Sequence, residues 1–190
     1  MLFRSGGKGI AAPSANRFGQ VSPTTAEAVR EEIGTYLSSE DSILDGGPSS
    51  VGVESTIIDC TGPTPKILRP GAISIEEIKS VTGLEVESPE RSDIRVSGSL
   101  ENHYAPAAQV LLDIEPQPGD GFIALAEIPT PAGVIRLAEP KSDEQFAHLL
   151  YAALRDADAR NLNRIVVAQP KGNGIAIAIR DRLSRAAAGR

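Results

Sequence analysis

Residues 142–168 read SDEQFAHLLYAALRDADARNLNRIVVA. Phe146, Leu149, Leu150, Ala153 and Leu154 recur there at helical spacing, which lays one apolar stripe on a helix from about Ser142 to Arg160, with Ser142 as its cap. The run Arg164–Ala168 that follows is short and β-branched, and reads as a strand. Outward from this pair, Gln109–Ile114, Gly121–Ala126 and Gly133–Leu137 read as earlier strands and Ile175–Ala188 as a last helix. Strands alternating with helices predict a small, largely parallel α/β sheet.

Upstream the pattern changes to short apolar runs among Gly, Pro and Ser. A helix is expected after Ser22-Pro23-Thr24, carrying Ala26, Ala28, Val29 and Ile33, with Gly34 helping to end it. Ser42–Asp45 reads as a strand entering the Gly46-Gly47-Pro48 turn. Ser55–Cys60 and Lys66–Leu68 read as further strands, and Ser74–Val81 as a short helix closed by Gly83. Ser88–Ala107 is polar, carries Pro89 and Pro106, and has no apolar period, which marks a connection between domains. The expected division is 1–88, a linker 89–107, and a C-terminal α/β domain 108–190 of Rossmann-like appearance. Met1–Ser5 reads as what the end of a common sequencing adapter encodes, and is expected to be an artefact outside the fold.

The chain carries 25 acidic against 19 basic residues, a poor footprint for gripping nucleic acid by its phosphates, so tight direct binding of that kind is not expected. Eight basic residues against three acids fall in Arg155–Arg190, and a solvated helix surface is the preferred reading of that cluster. Cys60 is alone, which excludes a disulfide framework and points to a reducing cytoplasm. No apolar run is long enough to span a bilayer.

Three segments are rich in small polar groups: Ala12–Asn16, Gly52–Thr56 and Leu68–Gly71. Hydroxyls and amides beside backbone N–H groups can hold phosphate oxygens or an amino-acid carboxylate, and Arg69 supplies a fixed cationic fork. Taken one at a time, Ser14-Ala15-Asn16 also reads as a turn, Glu54 as a strand-edge pair and Arg69 as a surface ion pair. His103 and Tyr104 lie in the linker, where either could close over a ligand, and His148 reads as structural. No cluster has metal-ligand spacing, and there is no Walker loop and no G-x-G-x-x-G.

In order along the chain, APSANRFGQVSPTTAEAV (12–29), ILDGGPSSVGVESTIID (43–59), ILRPG (67–71) and ENHYAP (101–106) resemble successive signatures of the threonylcarbamoyl-AMP synthase family, whose catalytic domain is YrdC-like. LLYAALRDAD (149–158), the segment around Pro170–Gly174 and AIRDRLSRAAAGR (178–190) are similar to that family's extra C-terminal domain in its two-domain bacterial form. The resemblance implies a nucleotidyltransferase that joins L-threonine, bicarbonate and ATP into threonylcarbamoyl-AMP and releases pyrophosphate, with magnesium on the phosphates. Partner proteins would then pass the threonylcarbamoyl group to a tRNA adenosine.

By motif, the resemblance implies that Ser14 and Ser55 contact threonine or its carbamate and that Asn16, Thr24, Arg69 and Tyr104 contact ATP, with Ser22 beside them. It makes the linker a lid that excludes water from a labile intermediate, and it names no catalytic acid or base. This sequence departs from the family at Gly9, Ser49 and Ser97-Gly98-Ser99, where proline, cysteine and proline are common. It also shows no counterpart of the Lys- and Arg-rich N-terminal segment, and Lys8 does not replace it, so weak or no activity and open sheet edges are expected of this chain. The alternative is a non-catalytic module that binds nucleotide or a partner. A carbamoyl-transferring maturation factor with a related YrdC-like domain is disfavoured by the HYAP linker and the tail domain.

Overall fold

Alternation along the strands decides the architecture of the C-terminal part. In β3 (Gln109–Leu112), β4 (Gly121–Ile123) and β6 (Arg164–Val167), Val110, Ile123, Ile165 and Val167 face one cluster, while Leu111, Phe122 and Val166 face another. The first cluster is covered by α3 (Asp143–Ala159) and α4 (Ile175–Ala188) through Phe146, Leu150, Leu154, Ile179 and Leu183, all essentially without exposure. The second is covered by the chain after β4 through Ile128 and Val134. Arg136 of β5 (Ile135–Ala138) pins that chain by donating to the carbonyls of Ala124, Leu125 and Ile128, its guanidinium lying 5.0 Å from the Phe122 ring centroid. The sheet is wholly parallel in the order β3-β6-β4-β5. This computed structural model describes residues 14–88, 94, 96–98 and 103–188. The expectations placed on Met1–Ser5, Lys8, Gly9 and much of the connection 89–102 lie outside those residues.

The caps form where the local chemistry places them. The Ser142 hydroxyl accepts from the Gln145 N–H at the start of α3. Ser74 and Glu77 make a reciprocal capping box at α2 (Ile75–Thr82), and Gly83 closes it in the left-handed region at φ 70°. Ser142→Ala should therefore lower stability by about 1 kcal/mol in urea melts, the usual cost of losing an N-cap. No change would mean that α3 is held by packing alone.

The N-terminal part carries α1 (Ala26–Ile33), capped by Thr25, and a 3-10 turn at Gly34–Tyr36. β1 (Ile57–Asp59) and β2 (Lys66–Arg69) form an antiparallel pair whose small core is Ile67, Ile78 and Val86. One expected element is absent: Ser42–Asp45 forms no strand. Leu44 is 92% exposed there, and the Asp45 carboxylate accepts from the Gly47 N–H to form a turn instead. Two apolar side chains cannot hold a strand where no described neighbour offers a ladder.

Candidate functional site

Asn16 organises the first polar segment. Its side-chain amide donates to the carbonyls of Arg17 (2.9 Å) and Gln20 (3.1 Å), and its carbonyl oxygen accepts from the hydroxyls of Ser14 and Ser22. Ala15 takes φ 56°, which turns Ser14 and Asn16 towards each other. The Ser49 N–H donates to the Thr24 carbonyl at 2.8 Å and folds the Gly-Pro-Ser loop over this segment. Between them lies a cleft of about 140 Å³ lined by Ser14, Ser22, Thr24, Ser49, Glu54 and Tyr151.

A second pair of segments meets beside the cleft. Arg69, only 6% exposed, donates from Nε and Nη2 to the Ser55 carbonyl at 3.1 and 2.9 Å and from Nη1 to the Ser97 carbonyl at 2.8 Å. Nη2 also reaches the Ser55 hydroxyl at 3.4 Å. The two backbones touch at Gly71, where a Cβ would collide with the backbone of Glu54, Ser55 and Thr56, so only glycine lets them approach.

Both segments are tied to the C-terminal helices by Glu54. Its carboxylate accepts from Ser22 Oγ, Tyr151 Oη and Arg182 Nε, each at 2.8 Å. Burial alone would push this carboxyl up, but the Arg182 charge, with hydrogen bonds from Arg182, Ser22 and Tyr151, holds it below its ordinary value. Arg182 has no exposed side-chain surface; Nη1 meets Asp181 and Nη2 donates to the Pro70 carbonyl at 3.0 Å. Burial, and then the neighbouring Glu54 charge, push the Tyr151 phenol well up, so at neutral pH it is a hydrogen-bond donor.

Tyr104 completes the cluster. Its ring stacks on Tyr151 with centroids 5.5 Å apart and receives the Arg182 guanidinium at 5.3 Å. The His103 ring stands edge-on at 4.1 Å, and burial lowers its pKa. Tyr104 is 1% exposed, and its hydroxyl lies in the space that a side chain at Gly98 would fill.

Of the residues singled out from sequence, the structure brings Ser55 and Arg69 into contact, joins Ser14 to Asn16, and sets Thr24 on the same cleft as Ser14. Tyr104 lies in the core behind that cleft, reached through Tyr151. Sequence reasoning missed the roles of Glu54, Tyr151 and Arg182. The basic tail is largely engaged: Arg155 pairs with Glu31 and Glu32, Arg185 with Asp181, and Arg180 donates to the Pro170 and Gly172 carbonyls. Among the described residues no three His, Cys, Asp or Glu gather to hold a metal, and no helix is long and apolar enough to cross a membrane.

Residues 73–188 match the family model described as threonylcarbamoyl-AMP synthase, C-terminal domain, and residues 1–71 match one described as telomere recombination. The threonylcarbamoyl-AMP synthase of Bacillus subtilis (strain 168) is 34% identical over 100% of this chain and 60% of its own length. That of Pyrococcus abyssi is 34% identical over 93% of this chain and 57% of its own, and that of Schizosaccharomyces pombe 30% identical over 94% and 52%. The chain thus spans a little over half the length of these relatives. The crystal structure of P. abyssi Sua5 complexed with L-threonine overlays with a TM-score of 0.78 at 31% identity, covering 95% of this chain and 58% of that one.

Proposed function

We propose a function from one established premise: this chain belongs to the threonylcarbamoyl-AMP synthase family. Its reaction is the synthesis of L-threonylcarbamoyladenylate. The threonine amine and bicarbonate condense to a carbamate with loss of water; a carbamate oxygen then attacks the α-phosphorus of ATP and displaces pyrophosphate. The observation that carries this reading is the pairing of Ser55 with buried Arg69, in a chain that overlays over 95% of its length on a relative solved with L-threonine.

Ser14 and Ser55 take threonine or its carbamate, while Asn16, Thr24, Arg69 and Tyr104 serve ATP, with Ser22 beside them. Chemistry of this kind is positioning and charge stabilisation, which hydroxyls, amides and a guanidinium supply without a Ser-His-Asp triad. Magnesium would arrive on the triphosphate, where it neutralises charge. The division into a YrdC-like part (1–88), a linker (89–107) and a C-terminal domain (108–190), a cytoplasmic location, and delivery of the product to proteins that modify tRNA belong to the same proposal.

Arg69→Ala should weaken ATP use by roughly 1.5–3 kcal/mol, the worth of a hydrogen bond to a charged group. Unchanged ATP dependence would remove Arg69 from the nucleotide site. The second reading is a nucleotide- or partner-binding module without catalysis, in which Arg69, donating from three nitrogens to Ser55 and Ser97, is structural. The deciding experiment is pyrophosphate release from ATP, dependent on threonine and bicarbonate, by this chain alone and extended with a family-type N-terminal segment. Release that needs all three substrates supports the synthase. Nucleotide binding without release supports the module, and binding of neither ATP nor threonine overturns both.

A further inference from the structure

Arg182 contacts, from one buried guanidinium, the immediate neighbours of two proposed ligand-binding residues and the ring of a third. Nε holds Glu54, which precedes Ser55; Nη2 holds the carbonyl of Pro70, which follows Arg69; and the guanidinium face lies over Tyr104. The arms that bear Ser55 and Arg69 are in backbone contact at Gly71, so a group bonded to both fixes their spacing. Glu54 carries the constraint further, because its other oxygen accepts from Ser22, which joins Asn16 and Ser14.

Tyr104 shows that its seat is enforced. Its backbone takes φ 61°, a region that bulky residues adopt only when their surroundings over-determine it. Those surroundings are Arg182 on one side and the stacked Tyr151 ring on another, both from C-terminal helices.

We infer that Arg182 is a positioning residue for the synthase reaction: α4, through this side chain, sets the distance between the Ser55 hydroxyl arm and the Arg69 cation arm and seats Tyr104 behind them. Helix α4 thus acts as a template for a site to which it contributes no ligand. The inference rests on the synthase reading for its kinetic consequence, but its structural content stands separately.

The test uses the full chain and its family-type extension with Arg182→Lys, Arg182→Met and Tyr151→Phe. Arg182→Lys keeps the charge and loses the fork that reaches Glu54 and Pro70 together. For protein that remains folded by circular dichroism, kcat/KM for threonine should fall on the order of tenfold to a hundredfold, as expected for a misplacement of about 1 Å remote from the chemistry. In hydrogen exchange, the amides of the β1–β2 pair, which continues both arms, should lose protection in the Arg182 variants while those in the middle of α3 keep theirs. Tyr151→Phe, which removes only one donor to Glu54, covers the case in which the Arg182 variants fail to fold, and it should show the same local loss in weaker form. Wild-type protection across the β1–β2 pair in every folded variant overturns the inference, as does a lowered melting temperature with threonine kinetics unchanged. If the unaltered protein, alone and extended, binds neither threonine nor ATP, the synthase reading fails on its own, and the exchange pattern still decides whether Arg182 holds the two arms.

Discussion

Glu54→Ala is expected to destabilise the folded chain by about 3 kcal/mol, the lower end of what breaking a buried ion pair costs. It leaves Arg182, whose side chain has no exposed surface, with Asp181 as its remaining carboxylate partner, and it strips an acceptor from Ser22 and Tyr151. Glu54→Gln keeps the shape and one acceptor oxygen, and should cost less. The pH dependence has a definite sign. The carboxyl is held below its ordinary value of 4.5 in the folded state, so its contribution is complete above that value and is lost as pH falls through the folded pKa. Urea melts at neutral and acid pH check both statements: the acid-induced loss should be smaller in Glu54→Gln than in the unaltered chain. An equal loss in both would mean that the carboxylate adds nothing to stability.

Gly52→Ala should cost about 2–5 kcal/mol, from two separate causes. Gly52 sits at φ 86°, where an L side chain costs roughly 1–2 kcal/mol. Its missing Cβ also faces the backbone of Ala147 and His148, which would be overpacked at about 1–3 kcal/mol. Helix α3 cannot retreat, because Phe146, Ala147 and Leu150 are fully buried on the sheet. Denaturant midpoints measure this directly. A change under 1 kcal/mol would show that the loop carrying Gly52 is free to move off α3.

Elements with local causes were legible in the sequence. Ser142 and Ser74 announce helices by bonding within three residues, and the stripe of α3 and the β-branched run of β6 need only periodicity. Ser42–Asp45 failed because strand formation depends on a neighbour that four residues cannot specify. The polar segments around Ser14, Ser55 and Arg69 stood out by composition. Their convergence did not, since Glu54 reaches Tyr151 and Arg182 across 97 and 128 positions of sequence. One signal was available: Arg182 interrupts the buried stripe Ala178, Ile179, Leu183, Ala186 of α4. A charge on an apolar face implies a buried acid elsewhere, and Glu54, set among Gly, Val and Ser, was a natural candidate.

The sheet order β3-β6-β4-β5 also sets a schedule for biogenesis. Among the described residues β3 hydrogen-bonds only to β6, and β4 needs β6 to join it to β3, so the strand made last is the keystone. At about 5–20 residues per second, a ribosome leaves β3 without a partner for several seconds. Until residues 164–167 emerge, only β4 and β5 can pair while β3 stays apart, and Glu54 stays uncompensated until α4 follows. Clearance of stalled or clipped chains should therefore be steeply sensitive to cuts before Arg164, because loss of this one segment strands β3 and reduces the sheet to the β4–β5 pair.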